Sequence, residues 1–205
     1  MTTTILRRWI RKIRVSPFVV LLLMAFWLAD SRLARIYMGI SALLHEAAHI
    51  VALRTLGIGI KNVNVGLTGA RLDIRDEEMI SYNDELFYSL AGPMANLILA
   101  MGLIAASFTI TIPLVETFIF YNLSFCLLNI LPVFPLDGGR ALRALLFKRM
   151  PYHTAHRLTY TISIITALMM TAAGLLLLFS GGWNGTLAIA GSYLLICALF
   201  MGRKG

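Results

Sequence analysis

The chain has 205 residues, of which 59% are apolar and only 14% charged, and its mean hydropathy is +0.79. Soluble domains carry roughly 25% charged residues, so these figures exclude a disordered chain and a conventional soluble enzyme. They point instead to a membrane protein with several lipid-facing segments. The 18 Lys and Arg exceed the 10 Asp and Glu by a net charge of +8, and their placement decides whether that surplus means nucleic acid or membrane orientation.

Arg7, Arg8, Arg11, Lys12 and Arg14 precede the first apolar stretch, Pro17–Ala29. That stretch is short for a span, which needs about 20 helical residues, so it recruits flanking residues. A signal peptide has the same layout, but no small-x-small cleavage site follows; an uncleaved first helix is expected. The second stretch, Ile36–Leu53, contains His45-Glu46-Ala47-Ala48-His49. On a helix, residues four apart share a face, so both imidazoles can bind one zinc ion. Glu46 is then placed to take a proton from a metal-activated water. Ionisable groups are expensive in a membrane span and are kept there mostly for function.

Ile60–Arg75 is not helical in pattern. Val63, Val65 and Leu67 alternate on one phase and Ala70, Leu72 and Ile74 on the other, with Gly66 and Gly69 near the switch. This predicts a small β-hairpin or sheet between the second and third helices. Asp76, Glu77, Glu78, Asp84 and Glu85 follow, and read as a solvated lead-in whose charge suits a helix N-terminus. The third stretch, Leu86–Ile112, carries Ala91-Gly92-Pro93-Met94-Ala95-Asn96. Gly92 and Pro93 read as close-packing and kink residues.

The fourth stretch, Leu114–Leu131, leads into Asn129-Ile130-Leu131-Pro132-Val133-Phe134-Pro135-Leu136-Asp137-Gly138-Gly139. Two prolines and two glycines must break a helix here. Irregular backbone at membrane depth is tolerated only where protein or a water-filled cavity satisfies it. Asn122 and Asn129 are seven apart, on nearly one helix face. The fifth and sixth stretches are Leu158–Ser180 and Trp183–Met201. Cys126 and Cys197 fall in apolar runs and read as small buried hydrophobes, not as a disulfide.

A catalytic zinc needs a third protein ligand and an open position. His153 and His156 lie in a basic connection after the fourth stretch, and Glu116 falls on the opposite side of the membrane from His45 and His49. Asp137 ends the broken helix on the same side, and is the strong candidate. The connections on alternate sides hold 16 of the 18 cations, which fits six spans with both termini cytoplasmic. Because the cations are split among four segments, nucleic-acid binding is not expected. The expected architecture is a membrane all-α fold: one domain over residues 1–205, six transmembrane helices, and a small membrane-associated β-hairpin.

The pair of motifs, HEAAH and NILPVFPLDGG, resembles the site-2 protease family of intramembrane zinc metalloproteases. Phe120–Ser124, Pro135–Gly139 and Ala155–Arg157 look most like the family's sporulation branch, which releases a sigma factor from a membrane-tethered pro-form. The resemblance implies one zinc per chain, held by His45, His49 and Asp137, with Glu46 as the catalytic carboxylate. It also implies substrate or site roles for Asn129, Asn122, Asn96 and Pro135. It further implies a transmembrane or membrane-associated protein substrate (a pro-sigma factor in that branch), inhibitory membrane partners, and residence in a bacterial cytoplasmic membrane with the site nearer the cytoplasm. No CBS or PDZ domain of the kind found in relatives is expected within these residues. A transporter would share the broken helix, but no repeated halves are visible. A catalytically silent scaffold would be expected to lack a ligand or the glutamate, and neither is missing.

Overall fold

The structure, a computed structural model, describes residues 32–58, 60–66, 69–74, 80–111, 113–180 and 185–201. The expected first span, Pro17–Ala29, lies outside them, as do Asp76–Glu78 and Trp183. Among the described residues the order is α1 (Arg32–Thr55), β1 (Ile60–Gly66), β2 (Gly69–Ile74), α2 (Tyr82–Ser107), α3 (Val115–Ile130), α4 (Asp137–Arg149), α5 (Tyr152–Phe179) and α6 (Thr186–Met201).

Three of these, α1, α2 and α5, are long and apolar enough to cross a membrane. α3 and α6 are apolar but shorter, at 16 residues each, or about 24 Å of helix against a ~30 Å hydrocarbon core. β1 and β2 pair antiparallel, with Val63 opposite Leu72 and Val65 opposite Ala70, and the register shifts between Ile60 and Asn62.

Small residues predominate on the inward faces and most large ones lie outward, with Leu53 of α1 a fully buried exception. The buried stripe of α1 is Ala34, Met38, Ser41, His45, His49 and Ala52, while Leu43 and Val51 are 72% and 58% exposed. The spacing of three or four keeps that stripe on one helix face, and it carries both motif histidines inward. α2 buries Ser89, Gly92, Asn96, Ala100 and Leu103 in the same way. Lipid is as apolar as leucine, so close packing of small side chains, rather than the burial of large ones, holds such helices together. The α5–α6 pair shows this most plainly. A methyl group on Gly191 would stand 2.6 Å from the backbone nitrogen of Thr171, and one on Gly174 would stand 2.6 Å from the Cα of Ala188.

α2 is the hub: it packs against α1, α3 and α4, and α1 also packs against α3. Its start is capped by Ser81, whose hydroxyl accepts from the Asp84 N–H at 3.1 Å. Glu85 is not solvated as the sequence suggests; its side chain is 12% exposed and pairs with Arg143 of α4. The segment from Arg140 to Arg149 reads in sequence as a basic connection, yet it forms most of α4. Its buried face is small, with Gly138, Gly139, Ala141 and Ala144 turned inward, and Lys148 and Arg149 stand exposed in its last turn. α5 likewise begins at Tyr152, earlier than the apolar run.

The break between α3 and α4 is satisfied by protein. The Val133 N–H donates to the Leu131 carbonyl (2.7 Å), Leu136 N–H to Val133 (2.8 Å), and Phe134 N–H to the Ser163 hydroxyl of α5 (3.1 Å). Val133 is fully buried with Ala167 of α5 and Leu194 of α6. The chain then turns so tightly that a methyl on Gly138 would meet the Ile130 carbonyl, and one on Gly139 the Val133 carbonyl at 2.6 Å. Only glycine fits either position.

Candidate metal centre

α1 and the start of α4 bring three side chains to one point. His45 Nε2 lies 2.9 Å from Asp137 Oδ2, His49 Nε2 lies 3.1 Å from the same oxygen, and the two Nε2 atoms are 3.2 Å apart. All three residues are buried. They come from the two segments that the sequence singles out, 88 residues or more apart in the chain.

The outer sides of the two rings show where each Nδ1 proton goes. His49 Nδ1 lies 2.7 Å from the Tyr88 carbonyl. A carbonyl only accepts, so Nδ1 carries the proton. His45 Nδ1 lies 2.6 Å from Asn96 Oδ1. Asn96 donates its amide N–H groups to the Ser41 carbonyl (3.1 Å) and to Asn122 Oδ1 (2.8 Å), so its oxygen accepts from His45. With Nδ1 committed to those acceptors, each imidazole in its neutral form presents a lone pair at Nε2.

In that form two lone pairs and a carboxylate oxygen converge on one point. Such a cluster repels itself unless a cation lies among them. Tetrahedral zinc ligands at 2.0–2.2 Å from the ion stand about 3.3 Å from one another, close to the spacing found. Two imidazole nitrogens and one carboxylate oxygen suit zinc, and the second bonds of both imidazoles orient them as metal-ligating histidines require. Gly92 of α2 clears the space: a methyl there would stand 2.6 Å from His45 Nε2 and would also overlap His49 Nε2.

Glu46 follows His45 on α1 and is exposed as a residue where the two imidazoles are buried. Asn122 and Asn96 are fully buried, with no surface for a substrate to touch. Asn122 donates to the Phe118 carbonyl at 2.9 Å. Pro135 is buried in the break. Asn129 is half-buried at the end of α3 and donates to the Phe125 carbonyl at 3.0 Å. Glu116 is exposed in the first turn of α3. His153 and His156 stack around Tyr152 at the start of α5. None of these last three belongs to the metal-ligand cluster. The Tyr88 and Ser41 carbonyls escape sequence reasoning altogether, because a backbone acceptor has no residue signature.

Residues 104–170 match Peptidase family M50. The chain is 30% identical over 163 residues to Stage IV sporulation protein FB of Bacillus subtilis (strain 168), covering 78% of this chain and 57% of that protein. It is 32% identical over 142 residues to a zinc metalloprotease of Methanocaldococcus jannaschii, covering 67% of this chain and 41% of that protein. The chain thus spans about half the length of these relatives. Its fold matches the solved site-2 protease from Methanocaldococcus jannaschii with a TM-score of 0.63 and 27% identity, over 90% of this chain and 85% of that one. In sequence and in fold together, the chain is similar to peptidase family M50, the site-2 proteases.

Proposed function

We propose that the chain is an intramembrane zinc endopeptidase that hydrolyses a peptide bond in or beside a substrate's transmembrane segment. The observation that carries this reading is the convergence of His45 Nε2, His49 Nε2 and Asp137 Oδ2, with Glu46 next to His45 on the same helix. Zinc held by those three residues would lower the pKa of water and polarise the scissile carbonyl. Glu46 takes a proton from the attacking water and returns it to the leaving nitrogen. Water adds to the carbonyl carbon, the C–N bond breaks, and a carboxylate and an amine result. Asn129, at the accessible end of α3, supplies a hydrogen bond to substrate backbone or to the developing oxyanion. Pro135 shapes the broken segment beside it.

A helical substrate hides its peptide groups and must unwind to be cut. The β1–β2 hairpin, which we place at the membrane surface, offers an edge for the unwound strand. We assign six spans, with Pro17–Ala29, α3 and α6 joining the three long helices, and both termini cytoplasmic. Alternate-side placement of 16 of the 18 cations supports that orientation. The site then lies nearer the cytoplasmic face of a bacterial inner membrane. Similarity to Stage IV sporulation protein FB favours a membrane-tethered pro-sigma factor as substrate, and inhibitory membrane proteins as partners.

The test is cleavage of a pro-sigma factor by purified wild type and by Glu46→Gln, with the new terminus mapped. Wild type should cut near the cytoplasmic end of the substrate span. Glu46→Gln should retain zinc and lose at least 100-fold in rate, as loss of a general base does. Wild-type turnover by Glu46→Gln, or a cut in the outer half of the span, would refute the mechanism or the orientation respectively.

A further inference from the structure

Two buried amides join the metal centre to a third helix. Phe118 and Asn122 lie on α3, Asn96 on α2 and His45 on α1. The Phe118 carbonyl can only accept, so Asn122 must turn its NH2 toward it (2.9 Å). The Asn122 oxygen then faces Asn96 and accepts at 2.8 Å. Asn96 must meet it with its own NH2, which also reaches the Ser41 carbonyl at 3.1 Å. The Asn96 oxygen is left facing His45, at 2.6 Å from Nδ1. Each orientation forces the next. Reversing any one amide would set acceptor against acceptor between fully buried side chains.

We propose that Asn122 and Asn96 are positioning residues: a polarised relay that keeps the His45 proton on Nδ1 and its Nε2 lone pair toward the metal. This rests on the zinc reading above. It gives both asparagines a role that needs no contact with substrate, in keeping with their complete burial. It also assigns Asn122 an effect on a metal that it does not touch, exerted only through Asn96.

Zinc affinity, measured by competition with a chromophoric chelator, tests the relay in wild type, Asn96→Leu, Asn122→Leu and the double variant. Each single change should weaken zinc binding by roughly 10- to 100-fold, as the loss of outer-shell partners does. The double variant should bind no more weakly than Asn96→Leu alone, because Asn122 acts through it. Thermal unfolding of the metal-free proteins separates this from a packing role, which would lower the melting temperature and leave zinc affinity unchanged. If Asn122→Leu does not fold, Asn122→Ser withdraws the acceptor with less disturbance and should weaken zinc in the same direction. Wild-type affinity in the folded Asn122 variant, or additive losses in the double variant, would overturn the relay. Wild type without zinc would instead defeat the reading beneath it.

Discussion

Gly92 sits where a single methyl group decides the sign of a substitution. In a helix interior, alanine is ordinarily better than glycine by about 1 kcal/mol. At Gly92 the added carbon would overlap the metal-facing edges of both His45 and His49. Gly92→Ala is therefore expected to destabilise by about 1–3 kcal/mol, as overpacking does, and to lower zinc content sharply. Gly102 lies on the same helix with nothing within 4 Å of that position, so Gly102→Ala should keep zinc and melt no lower than wild type. Zinc analysis and thermal melts of the two variants read the contrast directly. At this scale, the parts legible in sequence are those with chemistry in a fixed local pattern. His45, Glu46 and His49 are one helical turn, and Asp137 follows two prolines. The amides of Asn96 and Asn122 are visible only as polar residues in apolar helices. Their partner is each other, 26 residues away, and no local pattern encodes that distance.

Among the elements, α4 is the one on which the site depends most and the one the sequence hides best. Its first residue is Asp137, the proposed third zinc ligand, and its docking on α2 uses the Arg143–Glu85 pair and a bond from Lys148 to the Asn83 side chain at 2.8 Å. Arg143 also lies over the Phe134 ring at 5.9 Å, so one guanidinium touches both the broken segment and the hub helix. Breaking a buried pair costs about 3–5 kcal/mol. Arg143 is 33% exposed, so solvent screening reduces that to roughly 1–2 kcal/mol. Arg143→Ala should destabilise the fold by that amount, read as a lower melting temperature, and weaken zinc retention, because α4 then holds Asp137 less firmly. Arg143→Lys keeps the charge without the planar fork and should fall between. Equal melting and equal zinc in Arg143→Ala would show that α4 is held by its small-residue face alone. The segment reads as a connection because its charges mask a buried face built only of glycine and alanine, which carries no hydropathy signal.

Across the whole molecule, the helices are arranged so that a polar cluster is buried while bulky side chains meet lipid. That inversion is why composition alone excludes a soluble domain, and why long apolar runs were readable as α1, α2 and α5. Helix ends were less readable. α5 extends beyond its apolar run to Tyr152, because charged and aromatic turns continue a helix past the hydrocarbon. The break before Asp137 is stable because Ser163, on a distant helix, satisfies the Phe134 N–H; prolines announce the break, but only the fold shows what completes it. All of these contacts serve one arrangement, in which His45, His49 and Asp137 converge on one point, the proposed seat of a single ion. The most direct measurement is zinc per chain in detergent-purified wild type and in Asp137→Ala, with folding checked by thermal melt. About one zinc in wild type, and little in folded Asp137→Ala, is the expected result. Folded wild type without zinc, or an undiminished zinc content in Asp137→Ala, would contradict it.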